Sequence, residues 1–240
     1  MHDFSAARPA RSHTAMVTRQ LGLDIVAGHY AEGSILPGDA ELMDTFGVSR
    51  TVLREAMKTL AGKGLIKAKA RIGTRVCSRD DWNLFDPDVL IWHAENGLNA
   101  DFFIWLGEMR LALEPEAAAL AATRRSAEQL EALHGHVDKM GSKAYSPKDF
   151  VAADLAFHLG VAGAAGNPFL RSISTLIEVA LVSSLTISSP ADDQDQLAES
   201  VAAHRAIADA IGAQDADAAR AAMRVVIGMG IQRAARALKR

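Results

Sequence analysis

The sequence predicts a mostly α protein: an N-terminal winged helix-turn-helix followed by a C-terminal antiparallel, all-helical bundle. Three observations predict it. Ala and Leu are abundant while aromatic residues make up only 5%, a mix that fits a helix at little entropic cost. From Asp101 onward no strand-like alternation is found, and the strand-like stretch before it, Leu65 to Val76, is short and turns at Arg71-Ile72-Gly73. Basic charge is also concentrated: residues 46–79 hold nine Lys or Arg against one acid, Glu55, in a chain of net charge −3.

The 240 residues suit one small and one larger domain, and 49% hydrophobic against 23% charged residues describes a chain able to bury a core. The two parts differ in sign. Residues 1–80 carry 12 basic and 8 acidic side chains, residues 81–240 carry 14 and 21. A basic block on an acidic protein points to a polyanion partner for that block alone; an ordinary solvated basic face is the alternative that charge alone leaves open. With one cysteine, Cys77, no internal disulfide is possible, and a reducing cytoplasm is expected. Met1 to Gln20 has no run of signal-peptide length, and no stretch approaches the ~18 apolar residues of a membrane span.

Residues 1–13 have no periodicity and are expected to be disordered. A domain over 14–79 follows. Val17, Leu21, Ile25 and Val26 place a helix before Gly28. After the loop Gly33 to Pro37, Asp39 can cap a helix carrying Leu42, Met43 and Phe46. Gly47-Val48-Ser49 breaks it, and Ser49 caps the next, Arg50 to Lys63, with Val52, Leu53, Ala56, Met57 and Leu60 on one face. The hairpin comes next. Residues 80–100 read as a connector whose Trp82, Leu84, Phe85, Val89, Leu90, Ile91 and Trp92 give it apolar surface for docking, with Pro87 starting a short helix. The second domain, 101–240, divides into helices at 101–124, 126–141, 147–164, 167–187, 195–213 and 215–238, long enough for an antiparallel bundle.

In Gly47-Val-Ser-Arg-Thr-Val-Leu-Arg-Glu-Ala-Met the apolar positions face inward and leave Ser49, Arg50, Thr51 and Arg54 outside, near a helix N-terminus. That end of a recognition helix enters the major groove. Arginine can address guanine O6 and N7 together, and Ser and Thr can hold phosphates. Lys69, Arg71, Gly73 and Arg75 on the wing can straddle the neighbouring backbone. A plain amphipathic helix with a basic outer face is the competing account, but turn, cap, paired arginines and basic hairpin arrive together. The run Gly33-Ser-Ile-Leu-Pro37, Glu41-Leu42, Phe46-Gly-Val-Ser-Arg-Thr, Arg54-Glu-Ala, Leu60, Gly64-Leu-Ile and Gly73-Thr-Arg-Val76 resembles the GntR family of bacterial regulators. The resemblance implies that Ser49, Arg50, Thr51, Arg54 and the wing near Arg71 touch operator DNA. Ala40 departs from it, standing where relatives often carry a basic residue that contacts DNA.

The C-terminal part resembles the effector-binding FCD domain of the FadR subfamily through Arg110 and Glu114, Asp154-Leu-Ala-Phe-His158, Gly166-Asn-Pro168 and the segment from His204 to Ala219. Trp82 to Trp92 looks most like the branch that represses sugar-acid catabolism, D-galactonate repressors among them. Asp154 and His158, at i and i+4, leave one helix face together, and His204 lies on a later helix. A carboxylate and two imidazoles suit Zn, Ni or Mn. Metal-binding relatives add a His at the position of Val226 here, so the resemblance implies three ligands instead of four. The same residues could instead form a polar cluster that binds an effector directly. Arg110 could clamp an effector carboxylate or pair with Glu114 at i+4. His134 and His136, two apart on a helix, point to different faces, and Cys77, Met140 and Met223 read as structural.

The expected function is a DNA-binding repressor, not an enzyme: a homodimer in the cytoplasm, with no membrane association, whose hold on a double-stranded operator is controlled by a small carboxylate, a sugar acid above all, bound by Arg110, Asp154, His158 and His204. A metal-dependent hydrolase is the alternative, against which stand the lack of a nucleophile motif, a Gly-rich phosphate loop and an acid–base carboxylate pair. A non-sensing DNA binder would leave the bundle and its polar residues unexplained.

Overall fold

The structure, a computed structural model, describes residues 12–96, 100–142 and 146–237. Residues 1–11, most of the stretch expected to be disordered, lie outside them. The chain divides into two compact units between Gly97 and Leu98.

The first unit holds α1 (His13–Val26), α2 (Asp39–Phe46), α3 (Arg50–Gly62), the strands β1 (Ile66–Lys69) and β2 (Gly73–Val76), and α4 (Pro87–Glu95). Helix α1 starts earlier than the sequence suggests because Ser12 accepts a hydrogen bond from the Ala15 amide at 3.2 Å. Asp39 is the first residue of α2 and not its cap; Gly38 takes that place without a side-chain bond, and the Asp39 charge meets the free amides of the first turn. One core joins all of these pieces: Val17, Leu21 and Ile25 of α1, Leu42 of α2, Leu53, Ala56 and Leu60 of α3, and Leu65, Ile66 and Val76 of the hairpin. β1 and β2 pair antiparallel with Lys67 opposite Arg75 and Lys69 opposite Gly73. The turn uses Arg71 in a left-handed conformation, φ 63°. Ser34 to Leu36 bonds to the outer edge of β2, with the Leu36 amide 2.8 Å from the Thr74 carbonyl, so that edge is covered.

Residues 80–96 of the expected connector dock through their apolar side chains and fold into this same unit. Trp82, Val89 and Trp92 belong to its core. The seat for Trp92 is Gly22 of α1: a Cβ built there would lie 2.3 Å from the indole. Three polar ties hold α4 in place. Arg19 pairs with Glu95 at 2.5 Å, Asn96 Nδ2 donates to the Leu23 carbonyl, and the buried Lys63 at the end of α3 reaches Asp86 at 2.7 Å and Asp88 at 2.9 Å. Gly22→Ala is therefore expected to push the Trp92 ring outward, red-shifting tryptophan emission and lowering the stability of this unit by about 1–3 kcal/mol. Unchanged emission and melting would show that the notch is not required.

The second unit is helical throughout its described residues: α5 (Ala100–Arg124), α6 (Ala127–Met140), α7 (Pro147–Ala164), α8 (Pro168–Ser172), α9 (Ser174–Ile187), α10 (Gln194–Gly212) and α11 (Ala216–Ala237). Local chemistry explains most starts. Ser126 with Gln129 and Ser146 with Asp149 form reciprocal capping boxes, and Asp193 accepts from the amides of Asp195 and Gln196. Helix α5 runs against α11 in the opposite direction: Gly107 faces Ile231, and Glu116 pairs with Arg220. The single helix expected over 167–187 is two. Ile173, at φ −88° and ψ 9°, leaves helical geometry and packs against Ala162, Ile177 and Leu181. Neither a Gly nor a Pro stands at that break. Among the described residues no helix is long and apolar enough to cross a membrane.

Candidate functional site

The first unit presents a basic face. Gly47 ends α2 in a left-handed conformation, φ 61°, and Ser49 accepts the Val52 amide at 3.4 Å to start α3. With Leu53, Ala56 and Leu60 buried, the helix turns Arg50, Thr51 and Arg54 outward, and all three are exposed, as is Ser49. Arg50 and Arg54 take part in no ion pair among the described residues. On the hairpin, Lys69, Arg71 and Gly73 are exposed at its tip. Other basic residues of the block are engaged. Lys58 pairs with Glu55 at 2.7 Å, Lys63 with Asp86 and Asp88, and Arg79 with Glu32. Arg75 Nε donates to the Gly33 carbonyl at 2.5 Å, which braces the strand edge. The face thus offers free amides at the start of α3, two unpaired arginines and a cationic wing tip, a set able to hold phosphate and address base edges.

The second unit buries a polar cluster among apolar helices. Asp154 and His158 project from one face of α7, His204 from α10, and Arg110 and Glu114 from α5; each is at most 5% exposed. Phe157 sets its ring edge-on to both imidazoles. His158 Nδ1 donates to Glu114 Oε2, and His204 Nδ1 donates to the Ser200 carbonyl at 2.7 Å. These partners take the Nδ1 proton of each ring, so each Nε2 faces the cluster and offers a lone pair whenever its ring is neutral. The two Nε2 atoms stand 3.4 Å apart, and Asp154 Oδ1 lies 3.0 Å from that of His204. Three electron-pair donors converge, all within 4.8 Å of one another.

Convergent lone pairs repel unless a cation or a proton lies between them. Asp154 Oδ2 is also buried without a hydrogen-bond partner. Tetrahedral Zn with bonds near 2.0–2.1 Å has ligand-to-ligand edges of about 3.3–3.4 Å; the His158–His204 edge of 3.4 Å matches that, and the Asp154–His204 edge of 3.0 Å is shorter. Metal-ligating histidines commonly donate their other nitrogen to a carboxylate or carbonyl, which is what Glu114 and Ser200 accept here. The donor set therefore fits a divalent metal. Val226, buried on α11, offers no fourth donor.

The electrostatics follow the contacts. Burial would raise the Glu114 carboxyl, but Arg110, with Nε 2.5 Å from Glu114 Oε1, and His158 outweigh it and hold the group down at about 2. Burial likewise acts to raise Asp154, and His204, His158 and Arg110 keep it below the ordinary aspartate range. Arg110 is thus closed onto Glu114. His134 and His136 take no part in the cluster; His134 approaches Asp209 at 3.9 Å. Cys77 is half-buried.

Residues 13–76 match the family described as bacterial regulatory proteins, gntR family, and residues 106–228 match the FCD domain. The chain belongs to the GntR family. Its relatives include the uncharacterised HTH-type transcriptional regulator YieP of Escherichia coli K12, 37% identical over 85% of this chain and 87% of that one. The galactonate operon transcriptional repressor of the same organism is 32% identical over 92% and 96%. The repressor NanR of Cronobacter sakazakii is 33% identical over 87% and 80%. Among solved structures, a Streptococcus agalactiae GntR protein aligns at TM-score 0.50 and 25% identity over 91% of this chain and 99% of that one. Lar of Listeria monocytogenes aligns at 0.64 over 95% and 99%; at 20% identity it bears on the fold alone. As a GntR regulator with an FCD domain, the protein joins DNA binding to effector sensing.

Glu114, which the sequence offers as a partner for Arg110 and as part of the FCD resemblance, also accepts from His158, 44 positions away, through its second oxygen. Arg233, on which no sequence expectation falls, continues the stripe of Val226 and Gly230 on α11 at i, i+4 and i+7, a spacing that marks one helix face.

Proposed function

We propose that the protein is a homodimeric, cytoplasmic repressor, not an enzyme, whose operator binding is set by a small carboxylate, a sugar acid foremost, bound in the FCD domain. The observation that carries this is the polar cluster of Asp154, His158 and His204 inside an otherwise apolar bundle. Asp154 Oδ2 is buried there without a hydrogen-bond partner, which is costly, and a ligand would satisfy it. The galactonate repressor, alike over nearly the whole chain, supports the sugar-acid class. Asp154, His158 and His204 would hold a Zn, Ni or Mn ion, which supplies a Lewis-acidic centre for effector oxygens. Ser49, Arg50, Thr51 and Arg54 would address the operator, and Lys69, Arg71 and Gly73 its backbone. Each winged domain offers few base contacts, and two copies reading two half-sites extend them. Half-exposed Ile104 and Trp105 on α5 are apolar surface available to a second copy.

The test is operator binding by fluorescence anisotropy, with DNA selected from a random pool and a titrated panel of aldonates and simple acids. One acid should change operator affinity about 5–150-fold, the usual range of allosteric coupling. A panel in which no acid shifts affinity would overturn the sensing role. Metal content of the purified protein should fall in His158→Ala.

A further inference from the structure

We propose that Arg233 on α11 receives the anionic group of the effector, and that Arg110 serves as the internal counter-ion of Glu114. This rests on the reading of the second unit as an effector-binding domain. The two arginines differ in what they face. Arg110 is 5% exposed and directs Nε and Nη2 at the two oxygens of Glu114, at 2.5 and 3.5 Å. Glu114 in turn accepts from His158. An anion arriving at Arg110 would meet the Glu114 carboxylate beside it, with no guanidinium edge left uncommitted on that side.

Among the described residues, Arg233 has no such partner. Its Nε is buried and makes no hydrogen bond. Asp154 and Glu199 act on it through their charge alone, and burial disfavours its cationic form. Arg233 is only partly buried, but a buried Nε with no acceptor is destabilising in itself, and a carboxylate satisfies it together with a neighbouring Nη by two parallel bonds. The surroundings fit a hydroxylated acid. Asp154 Oδ2 is an empty acceptor. One turn before Arg233, Gly230 faces α9, where a Cβ built on it would lie 3.9 Å from the hydroxyl of buried Ser184. An anion on Arg233 with hydroxyls toward Ser184 and Asp154 describes a small polyhydroxy carboxylate.

The experiment is calorimetry on the full-length protein with D-galactonate, its uncharged alditol galactitol, and acetate, together with melting of the ligand-free proteins. Arg233→Met should weaken D-galactonate at least about 10-fold, the loss of a charge-assisted pair, while leaving galactitol as weak as in the wild type. Its ligand-free melting point should stay level or rise by about 2–4 °C, because an unsatisfied buried donor has gone. Arg233→Lys, which keeps the charge without the fork, should fall between. Equal D-galactonate affinity in Arg233→Met overturns the assignment. So does a lower melting point with both ligands weakened alike, the mark of a structural arginine. A wild type that ignores D-galactonate but binds acetate only when Arg233 is present keeps the anion site and retires the sugar-acid class. Binding of none of the three overturns both.

Discussion

Replacing Arg50 and Arg54 together by alanine is expected to weaken operator binding on the order of 10²–10⁴-fold. Both side chains are exposed at the start of α3 and carry no ion pair among the described residues, so neither is held back by an internal partner. Each arginine reading a guanine contributes about 1–3 kcal/mol. The single variants should also relax base preference at separate positions. Folding gives a clean control. Removing a cation from the first turn of a helix eases its clash with the helix dipole, so the melting point should hold or rise slightly. Electrophoretic shift on a selected operator, paired with thermal melting, checks both. A double variant binding within threefold of the parent would remove α3 from the DNA-reading role.

Glu114→Ala should be the most damaging single change in the second unit. It strands the Arg110 guanidinium in the interior and leaves the His158 Nδ1 proton with no acceptor. Taking one partner from a buried ion pair typically costs about 3–5 kcal/mol, or roughly 6–20 °C in melting temperature at this chain length. Arg110→Met with Glu114→Leu removes both charges and should recover much of that loss, since well-packed apolar replacements of buried pairs are often neutral. Calorimetric melting of the three proteins decides. A Glu114→Ala protein that melts like the parent would mean that the pair is not held as described.

What the sequence made legible was local. The turn at Gly47 to Ser49, the hairpin around Arg71, and the helix starts after Ser126 and Ser146 are set by caps and turn residues within four positions of where they act. The pair Asp154 and His158 was legible for the same reason, being one helix turn apart. What could not be read depends on distant contacts. Nothing near Trp92 announces that Gly22 leaves room for it. Nothing near Ile173 marks a helix break: no Gly or Pro stands there, and the residue packs, partly buried, against Ile177 and Leu181 and against Ala162 on a different helix. The role of Arg110 turned on geometry: as an i, i+4 partner of Glu114 it was visible, but only the closed fork shows how fully it is engaged.

The engaged cations of the first unit also set how the protein should respond to ionic strength. Of the nine basic residues in 46–79, Lys58, Lys63, Arg75 and Arg79 already have internal partners. Five remain per chain: Arg50, Arg54, Lys67, Lys69 and Arg71. Each phosphate neutralised on duplex DNA releases roughly 0.9 condensed counterions. With about five contacts per chain from this block and not nine, fewer ions are freed. Affinity for arbitrary sequence is then lower at low salt and falls less steeply as salt rises, and a larger share of the total binding falls to the base edges.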